Sequence, residues 1–193
     1  EITSYQFAWA IRYPGADGIV GKKNYKLITS ENALGIDFND KNNLDDQIAD
    51  ELVIPVNKPV RLILTSKDVI HSFYAPHFRV QLNTVPGMTL YFEFTPTITT
   101  EEMKAKTQDP KFQYLFLCNK ICGDGHYKMQ KEVRVVSQEE YDAWVAALPA
   151  YLTDDLRKEF NMPVTTPAPV TTPADTAAKD TSAVDKNQLA LKN

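Results

Sequence analysis

The sequence predicts an all-β sandwich with a few short peripheral helices and a C-terminal extension that has no core of its own. Three observations predict it. Short runs of alternating apolar and polar residues recur as far as Val135, with turn-forming residues between them. Helical spacing is confined to brief stretches, two of them opened by capping signatures. From Pro163 the chain turns to Pro, Thr, Ala, Asp and Lys with a near repeat of Pro-Val-Thr-Thr-Pro, a composition that buries too little apolar surface to offset its ordering entropy.

The elements follow in order. Tyr5, Phe7, Trp9, Ile11 and Tyr13 alternate with Gln6, Ala8, Ala10 and Arg12, which predicts one half-buried strand. Pro14 to Gly18 is a turn cluster, and the polar, acidic stretch from Glu31 to Glu51 reads as a long loop. Strands are expected at Leu52–Val56 and Pro59–Thr65, the second run ending in Asp68-Val-Ile-His71. Leu90, Phe92 and Phe94 mark another strand. Phe112, Tyr114, Phe116 and Cys118 share one face of the next, and Val133 and Val135 mark the last. Thr99-x-x-Glu102 caps a short helix through Lys106. Ser137-x-x-Glu140 opens a second, with Tyr141, Trp144, Val145 and Leu148 at helical spacing, and Leu152, Leu156 and Phe160 suggest a third.

Composition bounds the function. The chain has 193 residues and 43% hydrophobic content, enough for one domain with a real core plus extensions. Its net charge is -4, with no basic stripe, which excludes a nucleic-acid partner. The extension holds three Asp and three Lys, so the net charge belongs to the domain. There is no run of about 18 apolar residues such as a membrane-spanning helix needs. No signal peptide opens the chain, and residue 1 is Glu.

The chemistry is concentrated in Cys118-Asn-Lys-Ile-Cys122-Gly-Asp-Gly-His126-Tyr-Lys-Met129. The chain has only two Cys, three His and four Met, and this stretch takes both cysteines, one His and one Met. Thiolate, imidazole and thioether together suit copper, whereas a zinc site has no use for Met. By themselves the two cysteines of an exported chain would suggest a disulfide; the His and Met at these spacings favour a metal. A further ligand must come from upstream. His71 fits better than His77, because it ends an apolar, β-branched run, and His77 reads as structural or surface. One thiolate with two imidazoles and a weak thioether makes a mononuclear copper site, whereas two thiolates can bridge two copper ions.

Asp68-Val-Ile-His71-Ser-Phe, then Val85-Pro-Gly87, then C-x3-C-G-x2-H-x2-M resembles the dinuclear copper A domain of cytochrome c oxidase subunit II, from about Ile2 to about Leu148. The resemblance implies a cupredoxin-like Greek-key β-sandwich. It implies copper ligation by His71, Cys118, Cys122, His126 and Met129, together with the backbone carbonyl of Lys120. It divides the chain into a copper A domain (1–148), a short helical extension (149–162) and a Pro/Thr/Ala-rich tail (163–193). The implied function is electron entry into a respiratory haem–copper oxidase: cytochrome c would deliver electrons, and haem in subunit I would receive them. The implied partners are subunit I and other membrane subunits, on the periplasmic face of a bacterial inner membrane, with the family's anchoring helical hairpin outside this numbering. Some oxidases fuse a cytochrome c domain after this one, but the chain lacks the C-x2-C-H haem attachment motif.

For docking, the resemblance points to Phe7, which stands where the family has its surface electron-entry Trp, and to Asp68; Asp124, inside the ligand loop, is a further candidate. Asp37, Asp40, Asp45, Asp46 and Glu51 would extend the acidic surface, with Lys67 and Lys128 offsetting it. Trp9 reads as core. One position departs from the pattern. The family has Glu between the cysteines, where its carboxylate helps bind magnesium; here it is Lys120, and a cation cannot ligate magnesium, so that site does not carry over. Other readings of the motif are a copper A domain of nitrous-oxide or nitric-oxide reductase, and a mononuclear copper or zinc binding module.

Overall fold

The structure, a computed structural model, describes residues 1–162; the expected tail, 163–193, lies outside the described residues. Ten strands form two five-stranded sheets. The first contains β1 (Ile2–Tyr5), β2 (Ala8–Tyr13), β3 (Gln47–Ala49), β5 (Val60–Ser66) and β8 (Leu90–Phe94), in the order β3-β2-β1-β5-β8. The second contains β4 (Leu52–Pro55), β6 (His71–Ala75), β7 (Val80–Thr84), β9 (Tyr114–Cys118) and β10 (Gln130–Val136), in the order β4-β10-β9-β6-β7. The chain changes sheet after β3, β4, β5, β7 and β8, as Greek-key connections do. The helices are α1 (Thr100–Thr107), α2 (Gln138–Ala146) and α3 (Asp154–Glu159).

The core is where the two inner faces meet. Trp9 from the first sheet packs edge-on against Phe116 and Phe73 of the second, at centroid distances of 5.3 and 6.2 Å. Phe73 and Phe116 are 4.8 Å apart. Each such pair contributes roughly 0.5–1.5 kcal/mol beyond its buried area. Ile2, Ile11, Leu62 and Leu64 complete one face, and Val133 and Val135 the other. Trp9 is therefore core, as expected. The alternation in β8 and β9 is borne out: Tyr114, Phe116 and Cys118 are buried, while Leu115 and Leu117 are only half-buried. Both capping boxes form, with Thr99 and Ser137 accepting from the backbone N–H of Glu102 and Glu140.

Four expectations need correction. The aromatic run is a hairpin, not one strand. β1 and β2 pair antiparallel, Tyr5 opposite Ala8, across a two-residue turn at Gln6–Phe7 whose peptide bond is cis. The turn inverts the parity, so Trp9, Ile11 and Tyr13 face the core while Tyr5 lies on the other face with Ala8. Second, His71 does not end the Pro59–Thr65 run. β5 stops at Ser66, and His71 opens β6 in the opposite sheet. Third, β7 stands where no strand was expected, paired to β6 with His71 opposite Thr84.

Fourth, the acidic stretch is not all loop or surface. It supplies β3, and Asp46 is fully buried against Arg12, whose guanidinium also donates to Asn43 and to the Gly21 carbonyl. Arg12 faces outward on β2, and residues 15–46 fold over it. A buried guanidinium needs such partners, and breaking a buried pair from one side costs about 3–5 kcal/mol.

Tyr13 joins the two sheets. Its hydroxyl donates to the Val53 carbonyl at 2.7 Å and accepts from the Val53 N–H at 2.8 Å, satisfying the free edge of β4. Tyr13→Phe strips both partners from a buried backbone unit. It should destabilise the fold by about 1–3 kcal/mol in denaturant titration, while Cys118 and Cys122 keep their reactivity toward thiol reagents.

Candidate metal centre

Three elements converge at one end of the second sheet. β9 ends on Cys118, β6 begins on His71, and the two strands pair with Phe73 opposite Cys118. The segment 119–129 loops out from β9 and returns to β10. The Cys118 N–H donates to the Met129 carbonyl at 2.9 Å, which closes the neck of the loop. The Asn119 N–H donates to the Ser72 carbonyl at 3.1 Å, which ties the loop to β6. A single helical turn, His126–Lys128, then brings Met129 back beneath the thiols.

All five expected side-chain donors are gathered here. The Cys118 and Cys122 sulfurs are 3.9 Å apart, as free thiols and not as a disulfide. His71 Nδ1 lies 3.9 Å from the Cys118 sulfur, and His126 Nδ1 lies 3.6 Å from the Cys122 sulfur. Met129 Sδ is 3.5 Å from Cys122, and the Lys120 carbonyl is 3.2 Å from Cys118. His71, Cys118 and Cys122 are buried, with their donor atoms within 4.8 Å of one another. Met129 is 2% exposed and His126 half-buried. His77 is not part of the group; it is exposed and packs on Phe112 and Tyr114.

The electrostatics suit a cation. Burial, and then the neighbouring Cys118 thiol, push the Cys122 thiol up to about 11. Two thiolates at this separation with little water repel, and a bound cation is the partner that offsets both. Asp68 holds His71 from behind, with Oδ1 2.9 Å from His71 Nε2. A carboxylate only accepts, so Nε2 carries the ring proton and Nδ1 offers its lone pair toward the sulfurs. Carboxylate behind imidazole is the usual support for a metal-binding His. Burial pushes the Asp68 carboxyl up, but donation from the Gln6 N–H and from His71 outweighs it and keeps the group below its ordinary value.

The docking candidates divide. Both oxygens of Asp68 are engaged, by Gln6 and Val69 N–H and by His71, so its first role is to orient His71. Asp124 is exposed and makes no hydrogen bond or ion pair among the described residues. The Lys120 side chain is likewise exposed and unpaired there. Phe7 is 37% exposed, but its other face lies against the ligand loop. A Cβ built on Gly125 would come within 2.4 Å of the ring, and one on Gly123 within 2.8 Å. Sequence reasoning missed Gln6 altogether. Its side-chain amide donates to the Cys122 carbonyl at 2.6 Å. No periodicity marks it, because the alternation reads straight through the turn.

With this geometry established, the family model for the cytochrome c oxidase subunit II periplasmic domain matches residues 2–136. The chain belongs to that family. Among curated relatives, this subunit II domain is 36% identical over 147 residues to the alternative cytochrome c oxidase subunit 2 of Bradyrhizobium diazoefficiens, covering 75% of this chain and 49% of the relative. It is 31% identical over 147 residues to the probable cytochrome c oxidase subunit 2 of Rickettsia conorii, covering 76% of this chain and 41% of the relative. The subunit II domain thus spans half or less of the length of these two relatives. Among solved structures, the periplasmic domain of subunit II of cytochrome oxidase of Bradyrhizobium japonicum superposes with a TM-score of 0.50 at 25% identity, over 82% of this chain and 92% of that one. The cupredoxin-like fold expected from the resemblance is thereby borne out.

Gly125→Ala tests the packing of the loop on Phe7. The added methyl cannot fit without moving the ring or the loop, and overpacking of this kind typically costs about 1–3 kcal/mol. Gly125→Ala paired with Phe7→Ala should recover part of that loss in a double-mutant cycle read by thermal unfolding; additive effects would show that the two do not share the contact.

Proposed function

We propose that this domain is the electron-entry module of a respiratory haem–copper oxidase, taking electrons from a cytochrome c and passing them toward haem in subunit I. The observation that carries the proposal is the pair of buried thiols 3.9 Å apart, each with an imidazole nitrogen within 4 Å, and with a thioether sulfur beside one of them. The donor set fits two copper ions: soft thiolate and thioether select copper, and two thiolates supply the bridges a pair requires. A copper pair held there would supply one-electron transfer. His71, Cys118, Cys122, His126, Met129 and the Lys120 carbonyl would hold it.

The protein's own contribution is rigidity and dryness. β6 and β9 fix His71 and Cys118 on a paired ladder, and Asp68 fixes the His71 tautomer. Trp9, 6.4 Å from His71 by ring centroids, closes the inner side. An environment that does not move on electron gain or loss keeps the reorganisation cost low and tunes the potential. The domain needs no substrate pocket for this. An apolar cavity of about 450 Å³, lined by Tyr5, Leu34, Ile48 and Tyr151 among others, includes none of the donor residues. Among the described residues no helix is long and apolar enough to cross a membrane. The domain works on the periplasmic face, beside the membrane subunits. Family membership favours an oxidase over the nitrogen-oxide reductases.

Metal analysis with paramagnetic resonance tests the reading. Two copper ions per chain should be found, with the unpaired electron coupled to both nuclei. One ion per chain, or an electron confined to one nucleus, would contradict it. Cys118→Ser or Cys122→Ser should abolish the shared-electron spectrum. Met129→Leu should preserve it and shift the potential, because thioether is a weak ligand.

Asp124 is the carboxylate free to meet a basic cytochrome c face. Association should slow as added salt shortens screening toward about 8–10 Å. Asp124→Asn should lower the on-rate and spare the copper spectrum, whereas Asp68→Asn should disturb the spectrum through His71. Electron-transfer rates indifferent to both salt and Asp124 would point to an apolar interface.

A further inference from the structure

Gln6 sits at the tip of the hairpin between β1 and β2, outside the donor set, yet it bonds one half of it directly and reaches the other through Asp68. Its side-chain nitrogen donates to the Cys122 carbonyl at 2.6 Å. Its backbone N–H donates to Asp68 Oδ2 at 2.7 Å, and the other oxygen of that carboxylate holds His71 Nε2. The amide orientation is fixed by chemistry: a carbonyl only accepts, so the nitrogen must face Cys122. His71 belongs to β6 and Cys122 to a long loop, four residues past the end of β9. The neck of that loop is closed by backbone bonds at Cys118 and Asn119, but these end before Cys122. Past Cys122 the loop is tied within itself, with the His126 N–H on the Gly123 carbonyl at 3.1 Å and the Met129 N–H on the His126 carbonyl at 3.1 Å; the hairpin tip ties Cys122 itself to the first sheet.

The tip is itself anchored. Tyr5 pairs with Ala8 on the hairpin ladder, Ser4 pairs with Ser66 on β5, and the Lys67 N–H donates to the Ser4 carbonyl at 2.9 Å. Phe7, the next residue, lays its ring on Gly123 and Gly125 just past Cys122. Polar and apolar contacts from two consecutive residues therefore press on the same four-residue span of the loop.

We propose that Gln6 is a positioning residue that locks the Cys122 half of the donor set to the His71 half, so that both thiols stand at their working separation before any metal arrives. The inference rests on the copper reading given above. A carbonyl held by a donor fixes the peptide plane that follows Cys122, and with Asp68 fixed from the same residue, the distance between the two halves is set by the hairpin. Without the side-chain donor, the Cys122 carbonyl loses its hydrogen bond to the hairpin and only the Phe7 packing and the loop's own turn bonds remain.

The test uses the 193-residue chain with Gln6→Met, which keeps the length of the side chain and removes its donors, and Gln6→Glu, which keeps the shape and replaces the donor with an acceptor. Two readouts are taken. In competition titration against a copper chelator, both variants should bind copper about 10–100-fold more weakly than the parent chain, the range usual for loss of an outer hydrogen bond. In the metal-free chain, Cys122 should be alkylated several-fold faster in both variants, with Cys118 much less affected and the melting temperature unchanged. Affinity and alkylation equal to the parent's would overturn the proposal. A lowered melting temperature with both thiols equally exposed would also overturn it, since that marks a residue needed for the fold and not for the site. If the parent chain itself fails to take up two copper ions, the copper reading falls, and the alkylation of the metal-free chain still decides the role of Gln6.

Discussion

Two thiols held 3.9 Å apart where little water reaches them are the constraint on which the rest of the site depends. Two thiolates so close would repel, and a bound cation answers for both. Cys118 is set by the sheet, because it ends β9 opposite Phe73 of β6. Cys122 cannot be set that way, because it lies out on the loop. It is instead held from outside, by the hairpin tip that brings Gln6 to its carbonyl and Phe7 to the glycines beyond it. The β-sandwich thus supplies one wall of the site from each sheet: β6, β9 and the loop from the second, and the β1–β2 tip from the first.

The donors come from the second sheet and its loop, and the interior between them and the first sheet is aromatic. Trp9 fills the gap between sheets with Phe73 and Phe116 and lies against His71. It keeps His71 fully buried except at the edge that Asp68 reaches. The outward side is different. Ile121 and Tyr127 are 87% and 77% exposed, so the loop carries apolar side chains into solvent around a buried polar centre. Asp124 stands among them with no hydrogen-bond or ion-pair partner among the described residues.

Most of the fold could be read from the chain because its elements announce themselves locally. The two capping boxes are complete within four residues each, and the alternation in β8 and β9 needs no partner strand to be seen. The donor residues were legible for a similar reason: four of the five lie within twelve residues. What stayed hidden depends on pairing across the sheets. A two-residue turn leaves no gap in an aromatic alternation, so the hairpin at Gln6–Phe7 looked like one strand. His71 follows an apolar run so closely that its place at the head of β6 was masked by the end of β5. Asp46 looked like one solvated acid among many, and only the burial of Arg12 gives it a reason to be inside. Gln6 carries no signal in sequence, since an exposed glutamine in a turn is unremarkable until its amide is seen at the Cys122 carbonyl.

The central claim is that the polypeptide, not the metal, fixes the shape of the donor loop. Hydrogen exchange at individual amides tests it most directly, comparing the metal-free chain with the copper-loaded one. The amides of Cys118, Asn119, His126 and Met129 donate to carbonyls within or beside the loop. The account predicts that they are protected in both states, with protection factors that differ by less than about tenfold, or roughly 1.4 kcal/mol of local opening free energy. Exchange of these amides at unprotected rates in the metal-free chain, with protection appearing only when copper is bound, would contradict it.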